Sequence, residues 1–161
     1  MIETIALTAS QTPYITSVIG KTFLSNAISE SCHEILTKIT SLYSHPSFSH
    51  LLEEMEAIDI ETQIKIVDAH IEEIEKEYTP IFLESHRSLF LSIQGLHHII
   101  NRIKEEVILI HSLMENHSLK WFSSWRSVGG EDNIEKLKKY KEILDNRTGL
   151  FFKIISLIEK K

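Results

Sequence analysis

Metal binding is the first chemistry that the residue types allow, because the chain contains nine histidines. Glu30 and His33 have the Glu-x-x-His spacing that places both side chains on one helix face, as in carboxylate-bridged di-iron bundles. Such a centre needs a second Glu-x-x-His pair, and the sequence has none. It also lacks a His-x-x-x-His pair, which disfavours a zinc site on one helix. We predict no metal and no cofactor, and interpret Glu30 and His33 as a solvated pair.

Nucleophilic catalysis would need Cys32, or a serine, beside a histidine and an orienting acid. Cys32 and His33 are neighbours on a predicted helix, so their side chains project about 100° apart. We therefore interpret Cys32 as a small core residue. The five glycines are scattered, and Gly129-Gly130 lacks the flanking pattern of a phosphate-binding loop. These observations predict that the protein is not an enzyme.

An aromatic and basic segment is the most distinctive local feature of the chain. Trp121 and Trp125 are four residues apart, so both lie on one face of a helix. One interpretation is that they close the end of a helical bundle, with Arg126 reaching Asp145 or a helix C-terminus. The other is that Trp121, Trp125 and Arg126 form a binding hot spot, because tryptophan and arginine dominate interface energetics.

The elements that must position these residues are helices. Between Pro80 and Arg126 the apolar residues alternate steps of four and three, which predicts one long helix of roughly 65 Å. The seam consists of Leu89, Ile93, Leu96, Ile100, Ile103, Val107, Ile110 and Met114. Further apolar residues lie off this seam, and helix one, the N-terminal arm or another protein must cover them. They are Phe90, Leu91, Ile99, Ile108, Leu109 and Leu113.

Shorter helices are predicted on both sides of the long one. A first helix runs from Thr22 to Tyr43, and a short helical piece spans residues 49–56. Asp59 is predicted to cap a second main helix that carries a heptad seam from Ile60 to Tyr78. Thr79-Pro80 then indicates a restart, with Thr as N-cap and Pro at the first helical position.

The final helix follows the turn at Gly129-Gly130, where Asp132 and Glu135 resemble a capping box. Antiparallel folding about Gly129 predicts contacts of Met114 with Leu144 and of Val107 with Phe151. Folding about Thr79 predicts that the second main helix covers the first half of the long helix, with Ile64 near Leu96.

The first 20 residues differ from the rest of the chain. From Ile2 to Gly20 the only charge is Glu3, and Pro13 interrupts a stretch rich in Thr, Ser and β-branched residues. We predict an extended arm over residues 1–20, followed by one helical domain over residues 21–161. The arm either lies on another surface or completes its own core. Its candidate partner-binding residues are Ile5, Leu7, Tyr14 and Ile15.

The net charge of −6 is unevenly distributed. Residues 51–86 hold eleven acids against two lysines, whereas residues 87–161 hold thirteen bases against nine acids. Such segments can complement each other within one chain or between copies. The pattern argues against a nucleic-acid binder, which usually carries one basic face. No apolar run reaches the roughly 18 residues of a membrane span, so none is predicted.

One stretch of the sequence resembles a known group of proteins. The pattern Trp-Phe-x-x-Trp-Arg from Trp121 to Arg126, then a turn, then Leu137 and Tyr140 with residues 143–147 carries the resemblance. Over about residues 105–155 the chain is similar to small helical virion (minor capsid) proteins of nucleocytoplasmic large DNA viruses. The resemblance implies a virion component beneath the major capsid lattice, and no functional residue carries over from it.

The sequence thus predicts an all-α, elongated antiparallel helical bundle with three to four main helices, one very long, and an extended N-terminal arm. The function that we expect is non-enzymatic: a structural or assembly protein that bridges capsid proteins or copies of itself. The alternative is a soluble helical adaptor that binds a host or regulatory protein through the Trp/Arg patch. The expected location is the virion for a viral protein and the cytoplasm otherwise.

Overall fold

The computed structural model describes residues 12–44, 49–118 and 130–160. These residues form six helices: α1 Thr12–Tyr43, α2 Ser49–Ile58, α3 Ile60–Glu77, α4 Pro80–Ser85, α5 Arg87–Ser118 and α6 Gly130–Glu159. No residue within the three described ranges belongs to a strand. The prediction of an all-α protein is confirmed.

The prediction of one uninterrupted helix from Pro80 is wrong at His86. The restart is as expected, because Thr79 Oγ1 accepts a hydrogen bond from the Phe82 N–H and Pro80 occupies the first turn. However, the Ser85 hydroxyl and His86 Nδ1 both lie within 2.9 Å of the Phe82 carbonyl oxygen. These side chains compete with the backbone for that acceptor, so the helix breaks. α5 therefore spans 32 residues, about 48 Å, and residues 119–126 lie outside the described ranges.

The start of the first helix also differs from the prediction. α1 begins at Thr12, so residues 12–20, which we predicted to be extended, are helical. Pro13 is compatible with this because it lies in the first turn, where its missing N–H has no intrahelical acceptor to lose. α1 therefore begins ten residues before the predicted start at Thr22. Residues 1–11 lie outside the described ranges.

Two helices, α3 and α6, do not begin with the capping residues that were predicted. The break between α2 and α3 is at Asp59, but its side chain makes no capping hydrogen bond. Asp59 has φ 56° and ψ 38°, the left-handed conformation that commonly ends a helix, so it terminates α2. α6 begins at Gly130, which places Asp132 inside the first turn, where a carboxylate interacts favourably with the helix dipole but is not the N-cap.

Interhelical contacts define how the helices run relative to one another. Ser31 bonds Asn101 and Ser41 bonds His111, both across 70 positions, so α1 and α5 are parallel. α5 and α6 are antiparallel, because Gly95 pairs with Arg147 whereas Glu106 pairs with Lys136.

α3 packs mainly against α1, and it also contacts α6. The rings of His70 and Phe152 are 4.5 Å apart, and the Tyr78 hydroxyl donates to Glu159 over 3.1 Å. The residue numbers of the contacting pairs increase along both helices, so α3 and α6 run parallel. The prediction that this helix covers the first half of the long helix is wrong.

The predicted α5–α6 register is wrong as well. Val107 was expected opposite Phe151. Instead Glu106, the neighbour of Val107, contacts Asn133 and Lys136. The difference is about four helical turns. The prediction assumed that the two helices fold back about Gly129, and the observed contacts do not follow that register.

The core runs through the middle of this arrangement. All eight seam residues predicted between Leu89 and Met114 are buried, with at most 4% of their surface exposed. Phe151 is among the largest side chains that are fully buried, and it enters the core from α6. Of the residues off the seam, Ile99 is buried, whereas Leu91 and Leu109 remain about half exposed.

Candidate functional site

Most of the predicted partner-binding residues lie outside the described ranges. This is true of Trp121, Trp125, Arg126, Ile5 and Leu7. Tyr14 and Ile15 belong to the first turn of α1, so their backbone is helical and not extended. The predicted hot spot therefore stays a prediction.

The predicted solvated pair, Glu30 and His33, lies exposed on α1. Among the residues that the structure describes, no group of three or more His, Cys, Asp or Glu side chains is arranged to hold a metal ion. Cys32 next to this pair is fully buried, which confirms its interpretation as a core residue. Burial, followed by the nearby Asp68 carboxylate, raises the pKa of the Cys32 thiol from 9.0 to about 12. A thiol held protonated in this way is a poor nucleophile.

A serine, a histidine and an acid do come together where α1 ends beside α5. Ser41 Oγ lies 3.0 Å from His111 Nε2, and His111 Nδ1 lies 3.6 Å from a carboxylate oxygen of Glu115. The His111 side chain is only 7% exposed. This is the order of groups in a Ser-His-acid triad. Sequence reasoning missed it because Ser41 and His111 meet only through the 70-residue offset between parallel helices.

The surroundings of Ser41 oppose acyl-transfer chemistry. A tetrahedral intermediate needs N–H donors aimed at its oxyanion. Ser41 lies in the last turn of α1, where carbonyl oxygens and the negative end of the helix dipole are located. The field there disfavours developing negative charge. We interpret the Ser41–His111 bond as a link that fixes α1 against α5.

We expect that a fluorophosphonate probe will not label Ser41. The hydroxyl can be polarised by His111, but its transition state would have no electrostatic stabilisation. Intact-protein mass spectrometry after incubation with the probe measures this, and Ser41→Ala and His111→Ala provide matched controls. Labelling of the wild-type chain that disappears in both variants would contradict our interpretation and indicate a hydrolase.

A second polar network fixes the same two helices further toward their N-termini. Lys104 Nζ donates to Ser31 Oγ over 3.2 Å, and the Ser31 hydroxyl donates to Asn101 Oδ1 over 3.0 Å. The Asn101 amide lies 3.0 Å from His97 Nε2. Burial, then Lys104 and His98, lower the pKa of His97, which keeps its ring neutral and able to accept this bond. Lys104 also contacts Glu34 at 3.6 Å, so its ammonium group interacts with both a carboxylate and the Ser31 hydroxyl.

A third polar link joins α5 to α6. Glu106 is 7% exposed, and its carboxylate accepts a 2.7 Å hydrogen bond from the Asn133 amide. Lys136 Nζ lies 3.6 Å from the other oxygen of the same carboxylate. Each of these three networks joins side chains of two helices, so each helps to fix how the two helices are aligned.

The surface feature that remains without a partner is apolar. Leu150, Ile154 and Leu157 follow the spacing i, i+4, i+7, so they form one row along the last turns of α6. Leu150 is 54% exposed and Leu157 is 66% exposed. A different row of α6, which includes Phe151, already faces the core. This half of α6 is therefore apolar on two sides, and only one is covered.

α5 supplies the opposite wall of the same surface. Arg147 bonds the Gly95 carbonyl, so Leu91, one turn earlier on α5, and Leu150, one turn later on α6, occupy corresponding positions along the antiparallel pair. Leu91 is 51% exposed. Beyond these residues an open groove of about 450 Å³ lies between the start of α5 and the end of α6. Its lining residues are His86, Ser88, Ile154, Leu157 and Ile158. We name this region, together with Leu91 and Leu150, the α5–α6 groove.

The rim of the α5–α6 groove is basic. Residues 87–98 and 146–160 contain four basic residues and one acid, Glu159, in a chain whose net charge is −6. Glu159 accepts the hydrogen bond of Tyr78. Lys153 and Lys160 are exposed and form no ion pair within the described ranges. The first turn of α5 contains no acid that would offset its positive dipole end.

Comparisons of the chain with protein-family models, with curated proteins and with solved structures found no match. Within the described ranges, no helix combines the length and the apolar character that a membrane crossing requires.

Proposed function

We propose that this chain is a non-enzymatic structural protein that takes part in assembly by binding protein subunits at the α5–α6 groove. The observation that carries the proposal is the apolar row of Leu150, Ile154 and Leu157, in which both leucines are more than half exposed, on the helix that packs beside the exposed Leu91 of α5. Single exposed apolar residues are normal on a protein surface, whereas a contiguous apolar patch marks an interaction site.

Energetics support a protein partner for this surface. Burying apolar surface contributes roughly 25 cal/mol per Å², so covering several half-exposed leucines together gives a useful driving force. A cleft between two antiparallel helices also suits a third helix, which can insert its side chains between both walls. The surface therefore has the concave shape and the apolar character of a protein-binding site.

The particular assembly that we propose is a virus particle, with the chain as a minor capsid or scaffold component that bridges other subunits. The resemblance to small virion proteins over about residues 105–155 supports this part of the proposal. An elongated bundle of helices would suit a bridging role, because its two ends could reach different subunits.

Association of the purified full chain tests the proposal. We expect the mass measured by light scattering to rise above the monomer mass of 18.6 kDa as concentration increases. Leu157→Ser, which alters the groove, should reduce this association. Leu109→Ser is the matched control, because Leu109 is 49% exposed on α5 but does not line the groove. A wild-type chain that stays monomeric at every concentration would contradict the proposal.

The adaptor hypothesis differs in its binding surface. It assigns partner binding to Trp121, Trp125 and Arg126, so a Trp121→Ala/Trp125→Ala variant should lose partner binding and keep its helical spectrum. If that variant associates like the wild type while Leu157→Ser does not, the groove is the functional surface and the adaptor hypothesis fails.

A further inference from the structure

The charges beside the α5–α6 groove indicate which kind of surface binds there. Lys153 and Lys160 line one side of the apolar row, seven residues apart and therefore on one face of α6. An occupant that buries Leu150 and Leu157 would bring its own rim beside these lysines. That rim must be acidic, because like charges brought together across an interface cost affinity.

The same chain carries a surface of this description on α3. Residues 53–77 contain ten acids and two lysines. Ile66, Glu73 and Glu77 follow one another at intervals of seven and four, so they form one row on the outer side of α3. Ile66 is 40% exposed, and the Glu73 side chain is 64% exposed. We name these three residues the acidic face.

The acidic face and the groove lie on different surfaces of one molecule. The core side of α3, which includes Ile64, Val67 and Ile71, points away from the acidic face. α3 packs mainly on α1, and its contacts with α6 are made to Phe152 and Glu159, on the side of that helix opposite Leu150 and Leu157. A chain therefore cannot fill its own groove with its own acidic face, but a second copy can supply it.

We propose that the α5–α6 groove binds the acidic face of a second copy of this chain, in a head-to-tail contact. In this contact Ile66 enters the apolar row, while Glu73 and Glu77 lie opposite Lys153 and Lys160. The inference rests on the proposed function and names the partner for the same site. Because the two surfaces differ, each bound pair leaves one groove and one acidic face free, so the contact can propagate.

A two-fold pairing of two grooves fits the charges less well. In such a dimer each patch meets its own copy. Lys153 and Lys160 of one copy would then approach the same lysines of the other, with Glu159 the only acid in the surrounding segment. A membrane surface is the other class of partner that a basic apolar surface can bind, but a concave cleft between two helices suits a protruding helix better than a flat lipid layer.

The test uses two charge-reversed variants of the full chain. Lys153→Glu/Lys160→Glu alters the groove, and Glu73→Lys/Glu77→Lys alters the acidic face. Lys138→Glu/Lys139→Glu is the matched control, because it reverses two exposed charges on α6 far from the groove. Light scattering and sedimentation should show that each of the first two variants associates roughly 10- to 100-fold more weakly than the wild type, whereas the control associates normally.

Mixing the two altered variants gives the sharper result. One keeps an intact acidic face and the other an intact groove, and the two reversed surfaces are again opposite in charge, so the mixture should recover the association that each variant alone has lost. Added salt should weaken the wild-type contact, because its rim is charged. Weakening of the groove variant alone, with no recovery on mixing, would overturn the inference in favour of two-fold pairing.

The remaining outcomes separate the inference from the proposed function. If association survives both charge reversals but is lost in Leu157→Ser, the head-to-tail contact is refuted while the proposed function stands. Binding of the monomeric chain to vesicles rich in phosphatidylserine, without self-association, would refute both.

Discussion

Replacing Phe151 with alanine should lower the free energy of unfolding by about 3–5 kcal/mol, the range measured for large aromatic residues in protein cores. Phe151 is 1% exposed and is among the largest fully buried side chains of the structure. The loss combines the transfer free energy of the ring with the cost of the cavity that it leaves. Because typical domains are stable by only 5–15 kcal/mol, the variant should unfold at a much lower denaturant concentration.

Urea unfolding followed by far-UV circular dichroism measures this difference. Phe152→Ala is the matched control, because it removes the same ring from the next position, where the side chain is only partly buried against His70. A loss of about 1 kcal/mol is expected there, typical of a substitution that leaves no internal cavity. Equal losses in the two variants would mean that α6 does not present Phe151 to the core.

The thiol of Cys32 should react with iodoacetamide about 10³-fold more slowly in the folded chain than in urea. The thiolate is the reactive species, and a pKa near 12 in place of 9.0 leaves roughly a thousandth as much of it near neutral or mildly alkaline pH. Burial at 0% exposure adds a barrier to access. Timed alkylation with mass detection follows the rate. Comparable rates with and without urea would show that α1 opens readily around Cys32.

The same thiol links stability to pH. In the unfolded chain Cys32 loses its proton near pH 9.0, whereas in the folded chain it keeps the proton until about pH 12. The unfolded state therefore binds fewer protons between these values, and the free energy of unfolding falls as pH rises through that window and is unaffected below it. At 1.36 kcal/mol per pKa unit the full effect is about 4 kcal/mol. Cys32→Ala should lack this component, which separates it from tyrosine and lysine titration.

The spacing of apolar residues was sufficient to predict the helices and their buried sides. All eight seam residues of α5 are in the core, because a periodicity near 3.6 depends only on the helix itself. The break at His86 was not predictable in that way. It depends on two side chains that contact the Phe82 carbonyl, and the apolar pattern continues across it.

The register between helices was predictable only as far as the connections were known. The expected pairing of Val107 with Phe151 assumed a tight turn at Gly129, whereas the contacts of Glu106 with Asn133 and Lys136 show a different register. The parallel offset of 70 between α1 and α5 has no local signal at all, because it arises where side chains such as Ser41 and His111 meet.

The candidate site combines both kinds of information. Leu91 was identified from the sequence as an apolar residue off the main seam, and it is exposed. Leu150 and Leu157 were not singled out, since a row on the outer side of α6 is recognisable only after the inner row is assigned. Their position along α6 relative to Leu91 follows only from the observed α5–α6 register.

The direction of the helices has a practical consequence for experiments that tether proteins to this chain. α1 begins beside α4, and α6 ends beside the start of α5, so the first residue of α1 and the last of α6 lie at one end of the molecule. A binding partner fused after Lys160 through a short flexible linker would therefore meet the α5–α6 groove at an effective concentration in the millimolar range, on the order expected for such linkers. Weak contacts could be trapped in this way, whereas fluorophores and affinity tags belong at the opposite end, near Tyr43 or Gly130.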